Sequence, residues 1–176
     1  MGWREVLAED LVAMKLPPEW KSRYVVTHRI AAFMKLMRVS EHYRGRGGFG
    51  KVAYYWNRFR FERLSEALGF DIPLGVFGPG LSIAHKGTIV VNGDARVGRN
   101  CRIHPGATIG AVRGLAPTIG DDVFIGPSVG VYGPVTIGDR ATLGPNSLVN
   151  FDVPADTTTL GARATLRDKA IPASER

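Results

Sequence analysis

Two histidines, His85 and His104, stand where they could transfer protons. Imidazole gains and loses a proton near neutral pH more readily than other side chains, which suits it to general-base catalysis. One coil of the repeat described below holds about 18 residues, and counting back one coil from Ile103 reaches His85. We therefore expect both rings on one face, in adjacent coils, within reach of one small ligand. His28 and His42 lie in predicted helices without acidic or metal-ligand neighbours, so we interpret them as incidental.

Other site chemistries lack the residues that they require. The single cysteine, Cys101, and the scattered histidines show no H-x-x-x-H or C-x-x-C spacing, so no metal site is predicted. No nucleophile elbow between a strand and a helix is predicted, since the G-x-S-x-G spacing at Gly126–Gly130 falls within the six-residue repeat, and this favours direct group transfer with a general base over a covalent enzyme intermediate. Cys101 occupies a small-residue position of the repeat, where packing is its expected role.

The two candidate histidines belong to a repeat of six residues. Aliphatic residues recur at every sixth position in two runs: Val91, Val97, Ile103 and Ile109, then Ile119, Ile125, Val131, Ile137, Leu143 and Val149. Glycine usually follows, and the fifth position of each unit is small or β-branched. One short strand and one tight turn per unit have this period. The pattern predicts a mainly β fold, a left-handed parallel β-helix of hexapeptide repeats over residues 71–160.

The repeat is interrupted at two places. Ile109 and Ile119 are ten positions apart, so four extra residues within Gly110–Thr118 must leave the coil as a loop. Near His85 the run Ile89–Val91 disturbs the apolar phase, and burying an unpaired imidazole is costly, so the ring is turned outward or the coil is distorted there. An outward ring suits a general base. A histidine that only hydrogen-bonds a turn carbonyl is the alternative for both residues.

The segments on either side of the repeat differ from it. Residues 1–70 show apolar residues at helical spacing and are predicted to form a small region of three helices. The three sets are Leu7, Leu11 and Met14; Val26, Ile30, Phe33 and Met37; and Val52, Trp56, Phe59, Leu64 and Leu68. After Val149 the six-residue period is lost, and residues 161–176 are expected to form a C-terminal cap or tail.

Two features of the helical region could indicate nucleotide or nucleic-acid binding. Arginines alternate with aromatic residues in the third helix, which we interpret as a solvated face opposite a buried apolar stripe. The segment Arg44–Gly50 formally matches G-x-G-x-x-G, but a helix precedes it instead of the strand that a dinucleotide site requires. A linker between helices is the expected role of Arg44–Gly50.

Charge is concentrated in the helical region. The 176 residues carry a formal net charge of +7, and residues 1–70 hold 13 Lys and Arg against 7 Asp and Glu. No apolar run approaches membrane-spanning length, and the first residues do not resemble a signal peptide. We therefore expect a cytoplasmic protein, with nucleic-acid or membrane-surface binding through the basic helices as a minor alternative.

The chain resembles the hexapeptide-repeat acyltransferases and, among them, the serine O-acetyltransferase family, from about Ser22 to Arg167. The matching segments are Ser22-Arg23, His28–Ala31, Asp71–Pro73, Ile83–Thr88 and Gly161–Arg163. The resemblance implies acetyl-CoA as donor, a hydroxyl as acceptor, His85 as general base, no metal, and a homotrimer or dimer of trimers with CoA in a groove between solenoids. The candidate donor-binding residues are Gly110, Ala111, Arg113, Pro117, Arg140 and Arg163.

The sequence departs from that family at two functional positions. Ala84 stands where the family has an aspartate before its histidine, and Leu115-Ala116-Pro117 stands where its loop has arginine-histidine-proline. These changes predict an altered acceptor side, with His104 replacing the missing loop histidine. True L-serine O-acetyltransferase activity, acetylation of a sugar or polysaccharide unit, and an inactive solenoid scaffold are the alternatives.

Overall fold

The computed structural model describes residues 2–161, which form a helical region followed by a solenoid. The helices are α1 (Trp3–Ala13), α2 (Tyr24–Thr27), α3 (Arg29–Tyr43) and α4 (Phe49–Leu68). The second predicted helix is divided into α2 and α3 because the backbone of His28 leaves the helical region, with φ −136° and ψ 70°. Residues 44–48 join α3 to α4, as predicted for the glycine-rich linker.

The solenoid is built from thirteen short parallel strands within the described residues. They are β1 (Phe70–Asp71), β2 (Ser82–Ile83), β3 (Ile89–Val91), β4 (Arg96–Val97), β5 (Arg102–Ile103), β6 (Thr108–Gly110), β7 (Thr118–Ile119), β8 (Phe124–Ile125), β9 (Gly130–Tyr132), β10 (Thr136–Ile137), β11 (Thr142–Leu143), β12 (Leu148–Val149) and β13 (Thr158–Thr159). Sheet A is β1-β3-β6-β9-β12, sheet B is β10-β7-β4, and sheet C is β13-β11-β8-β5-β2. The chain visits C, A and B in turn, which confirms the predicted β-helix of hexapeptide repeats.

The repeating aliphatic residues form the core of the solenoid. Ile103 pairs with Ile125, which pairs with Leu143, and each of these side chains is buried. Glycine is needed where coils approach closely: a Cβ on Gly98 would lie 2.7 Å from the carbonyl carbon of Gly120. The small fifth position holds Cys101, whose burial raises the pKa of its thiol to about 12. The predicted packing role of this cysteine agrees with that environment.

The lengths of the coils correct one detail of the sequence analysis and explain another, the loss of the six-residue period after Val149 inside the predicted β-helix of residues 71–160. Ile83, not His85, pairs with Ile103, so the first step on sheet C is twenty positions instead of eighteen. The solenoid also continues beyond Val149, since Val153 bridges to Ile137 and β13 pairs with β11. The last coil spans sixteen positions instead of eighteen. Because it is two residues shorter, its inward residues no longer follow the six-residue spacing, and the sequence pattern does not reveal this coil.

The prediction that the apolar stripe of the third helix is its buried face is largely wrong. Val52, Trp56 and Phe59 of α4 are 64%, 62% and 58% exposed, and the buried face of α4 carries Phe61, Ser65 and Leu68. Phe61 stacks on Phe33 of α3, with 5.0 Å between ring centroids. Because α4 has apolar residues on opposite faces, helical spacing could not tell which face packs.

A buried ion pair fastens the helical region to the first coil. Arg38 of α3 donates from Nε to Asp10 of α1 at 2.8 Å, and its Nη atoms donate to the carbonyls of Phe77 and Gly78 at 2.9 and 2.8 Å. The backbone N–H of Leu81 donates to the same aspartate at 2.9 Å. Both charged groups are thereby hydrogen-bonded where water is excluded, which such burial requires. No helix within residues 2–161 is long and apolar enough to cross a membrane.

Candidate active site

His85 lies on a widened turn of the solenoid. Successive inward positions are normally six residues apart, but Ile83 and Val91 are eight apart, as their pairing with Ile103 and Ile109 shows. Two extra residues therefore bulge from the corner where sheet C turns into sheet A. The His85 side chain is exposed there, so the two outcomes offered as alternatives for the disturbed phase, a distorted coil and an outward imidazole, occur together.

His104 lies beside His85 at the same corner. Their ring centroids are 6.3 Å apart, although His104 is in register with Ala84 and the count of eighteen was wrong. The widened turn compensates, because it brings the His85 ring back over the next coil. His104 is half-buried and its ring centroid is 5.1 Å from that of Phe124.

The surroundings of His104 favour the neutral imidazole. Partial burial, followed by the charges of Arg102 and His85, lowers the pKa of His104 below its usual value. Arg102 donates from Nε to Nε2 of His104 at 3.4 Å, so this nitrogen is the unprotonated one. His104 is therefore held as a hydrogen-bond acceptor through Nε2.

A groove of about 520 Å³ separates this corner from the helical region. It is lined by Ala13, Met14, Lys15, Thr27, His28, Arg29, Ile30, Ala67, Leu68, Ser82, Ile83, Ala84, His85, Lys86 and Arg102. Three parts of the helical region form its outer wall: the end of α1, the junction of α2 and α3, and the end of α4. His85 is thus covered by helices that are distant from it in sequence, and we name this space the His85 groove.

His28 is a groove residue that the sequence analysis dismissed. The Thr27 hydroxyl donates its proton to the Arg23 carbonyl at 3.0 Å and lies 2.8 Å from Nδ1 of His28. With the hydroxyl proton directed to Arg23, Nδ1–H of His28 can donate to the Thr27 oxygen, and this contact fixes the ring at the edge of the groove. The dipeptide Thr27-His28 offered no spacing signal. Only the break between α2 and α3 sets this ring against the groove.

The predicted loop lies at a different corner from the histidines. It connects β6 of sheet A to β7 of sheet B, and contains a tight turn in which Val112 and Leu115 exchange hydrogen bonds of 2.9 and 3.0 Å. Arg113 takes a positive φ of 53° in that turn and is exposed. Gly110 and Ala111 lead into the turn, whereas Pro117 is buried in the wall of the coil. Sheet A therefore separates the loop candidates from His85 within one chain.

The two remaining donor-side candidates lie elsewhere. Arg140 stands at the corner between sheets B and C, where it forms two hydrogen bonds to Asp156, at 2.6 and 2.7 Å. Those bonds and the aspartate charge raise the pKa of Arg140, an exposed guanidinium that is paired with Asp156 through Nε and Nη2. Arg163 lies outside the described residues.

Comparisons with known proteins agree with this fold. Residues 116–150 match the bacterial transferase hexapeptide family (six repeats). Serine acetyltransferase from Helicobacter pylori J99 is 29% identical over 127 residues, covering 65% of this chain and 74% of that protein. Serine acetyltransferase from Mycobacterium tuberculosis is 37% identical over 98 residues, covering 53% of this chain and 43% of that protein.

A solved structure extends the match through the helical region. Neisseria gonorrhoeae serine acetyltransferase in complex with serine superposes with a TM-score of 0.71 and 27% identity, over 93% of this chain and 68% of that one. The fold and the matched repeat are thus similar to those of the hexapeptide-repeat transferases. Within that class, the chain is similar to the serine acetyltransferases.

Proposed function

We propose that the protein transfers an acetyl group from acetyl-CoA to a hydroxyl of a small acceptor, with His85 as general base. The observation that carries this proposal is the outward imidazole of His85 in a groove of about 520 Å³, at the corner of an acyltransferase-type solenoid. A general base must reach both solvent-borne substrate and the reacting atom, and an exposed ring in a covered groove satisfies both needs.

The reaction balances with one base and no covalent enzyme intermediate. An unprotonated nitrogen of His85 accepts the acceptor's hydroxyl proton as the oxygen attacks the thioester carbonyl carbon. The tetrahedral intermediate collapses by breaking the carbon–sulfur bond. The imidazolium then returns its proton to the CoA thiolate, so the products are an O-acetyl ester and free CoA. The neutral His104 ring stands next to this transfer and can donate a hydrogen bond from Nδ1–H to the acceptor, since its Nε2 accepts from Arg102.

The donor side is proposed to involve a second copy of the chain. Gly110, Ala111 and Arg113 are separated from His85 by the width of sheet A. A homotrimer in which the loop of one subunit approaches the His85 corner of the next would unite them, as the resemblance to the trimeric family implies. Light scattering of the purified protein should then give a mass three times that of the 19.1-kDa chain, or six times for a dimer of trimers.

Release of free thiol from acetyl-CoA tests the activity. His85→Asn should lower kcat by about 10²–10⁴-fold with CoA binding retained, because a positioned base contributes that much. His42→Asn, a change on α3 outside the groove, is the matched control and should keep full activity. Equal activity of the two variants would exclude His85 as the base. CoA binding without turnover of any acceptor would instead favour the inactive scaffold.

L-Serine is the second candidate acceptor. The similarity to proteins named serine acetyltransferase, including one solved with serine bound, favours it. The stretch Leu115-Ala116-Pro117 opposes it, since it lacks the arginine and histidine that the family resemblance leads one to expect. A kcat/KM for L-serine that exceeds the values for acidic and neutral sugars would establish this alternative.

A further inference from the structure

We propose that the His85 groove binds an acceptor that carries a carboxylate or phosphate and no ammonium group. The inference rests on the proposed acetyl transfer at His85 and adds the chemical class of the acceptor. It is carried by the charges that line the groove, which come from four separate segments of the chain.

The groove collects four cations. Lys15 follows α1, Arg29 begins α3, Lys86 follows His85 in the widened turn, and Arg102 lies on β5 of the next coil. Among residues 2–161, none of those that line the groove is an aspartate or a glutamate. Residues as distant in sequence as Lys15 and Arg102 thus place like charges in one cavity. These charges repel one another, and a bound anion would offset the repulsion.

These cations differ from others in the same structure. Arg38, Arg58, Arg99 and Arg140 each form a salt bridge with an aspartate or glutamate. Among residues 2–161, no salt bridge involves Lys15, Arg29, Lys86 or Arg102. The chain therefore neutralises these four arginines internally, whereas the groove cations, like most other lysines and arginines of residues 2–161, make no salt bridge and are available to a ligand.

The walls of the groove strengthen its preference for anions. Ile83 and Leu68 are buried and Ile30 is half-buried, so apolar side chains form part of the wall beside the four exposed cations. Arg29 and Arg102 can form paired hydrogen bonds with a carboxylate or phosphate. An ammonium group would find no carboxylate among the lining residues. A zwitterionic amino acid is thus a poorer match than an acid with the same hydroxyl.

The size of the groove favours an acceptor larger than a single amino acid. Its volume of about 520 Å³ lies within the range of about 300–1,000 Å³ that small-molecule sites occupy. Lys86 is adjacent to His85 in sequence, so one molecule can place its hydroxyl at the imidazole and its anionic group among the cations. An acidic or phosphorylated monosaccharide has these dimensions.

Binding to the full chain without acetyl-CoA tests this inference separately from catalysis. Amide signals would be followed by NMR during titration with D-glucuronate, D-glucose 6-phosphate, D-glucose and D-glucosamine, which present carboxylate, phosphate, neutral and ammonium forms of one sugar. We expect either or both acids to bind at least about tenfold more tightly than glucose, with shifts at Arg29 and Lys86, and glucosamine to bind most weakly. The stronger acid identifies carboxylate or phosphate as the natural group.

Paired substitutions locate the binding. Arg29→Gln with Arg102→Gln should remove the preference for acids and leave the weak affinity for glucose unchanged. Arg44→Gln with Lys51→Gln removes two exposed charges outside the groove and is the matched control. Raising the salt concentration should weaken binding of the acids in the control protein and have little effect on glucose.

The outcomes separate this inference from the proposed function. Preferred binding of acids without acetyl transfer would contradict the function and support the anion site. Transfer to glucose, glucosamine or L-serine at rates equal to those for D-glucuronate or D-glycerate would support the function and overturn the inference. Equal affinity for all four sugars, or displacement of the bound acid by CoA at the same residues, would also overturn it.

Discussion

The corner of the solenoid that carries His85 and the corner that carries the Gly110–Thr118 loop interrupt the same repeat with opposite results. Two extra residues at the first produce an exposed imidazole that α1, α3 and α4 enclose in a groove. Four extra residues at the second produce a tight turn whose side chains Val112 and Leu115 are 47% and 57% exposed. An insertion thus becomes a pocket only where another part of the chain covers it.

The largest predicted effect comes from a substitution that weakens the attachment of the helical region to the solenoid. Asp10→Ala removes the buried carboxylate beside Arg38 and should cost about 3 kcal/mol of unfolding free energy, the lower end for a broken buried pair, because Glu41 still lies 3.1 Å from the guanidinium. Glu9→Gln breaks the more exposed ion pair to Arg99 and should cost about 0–1 kcal/mol. Urea denaturation of both variants measures the difference. Similar losses would mean that the Asp10–Arg38 pair does not hold the helices on the solenoid.

Shortening the loop should affect the donor and spare the acceptor groove. Deletion of residues 112–115 restores the six-residue step from Ile109 to Ile119, so the coil should still form. We expect KM for acetyl-CoA to rise about tenfold, the loss of about one charge-assisted contact. Binding of D-glucuronate should remain unchanged. A loss of acid binding with a normal KM for acetyl-CoA would show that the loop serves the acceptor and not the donor.

Removing the hydrogen bond that holds His28 should have a moderate effect on acceptor binding in the His85 groove and none on acetyl-CoA binding. Thr27→Val removes the oxygen that holds Nδ1 of His28, a neutral hydrogen bond worth about 0.5–1.5 kcal/mol. The acceptor's KM should rise about two- to tenfold, and KM for acetyl-CoA should not change. Thr136→Val, an exposed change on β10, serves as the control. An unchanged acceptor KM in Thr27→Val would return His28 to the incidental role first expected.

The smallest effect concerns the proton on His104. Its pKa is lowered from the usual 6.5 by partial burial, Arg102 and His85, so it should titrate below that value in an NMR pH series. Arg102→Gln should move the midpoint upward, whereas Arg96→Gln on sheet B should not. Because the folded pKa lies below the unfolded one, this residue's contribution to stability is present above about pH 6.5 and is lost as pH falls. A midpoint at or above 6.5 would contradict the prediction.

Much of the solenoid could be predicted because its contacts are local and repeated. The inward column, the loop and the outward turn of His85 follow from the six-residue spacing and its interruptions. The register of the first coil could not be derived, since two extra residues between Ile83 and Val91 change which residues pair. The face on which α4 packs was also missed, because Val52, Trp56 and Phe59 show the same spacing as a buried stripe.

The sequence by itself determined the β-helix, the positions of its interruptions and the presence of two histidines near one corner. These properties depend on side-chain size and period, which each six-residue unit carries within itself. The tertiary structure decided which interruption is covered, that His28 faces the groove, and that Lys15, Arg29, Lys86 and Arg102 meet there. Those contacts join residues up to 87 positions apart, and no local pattern encodes how a helical region docks on a solenoid.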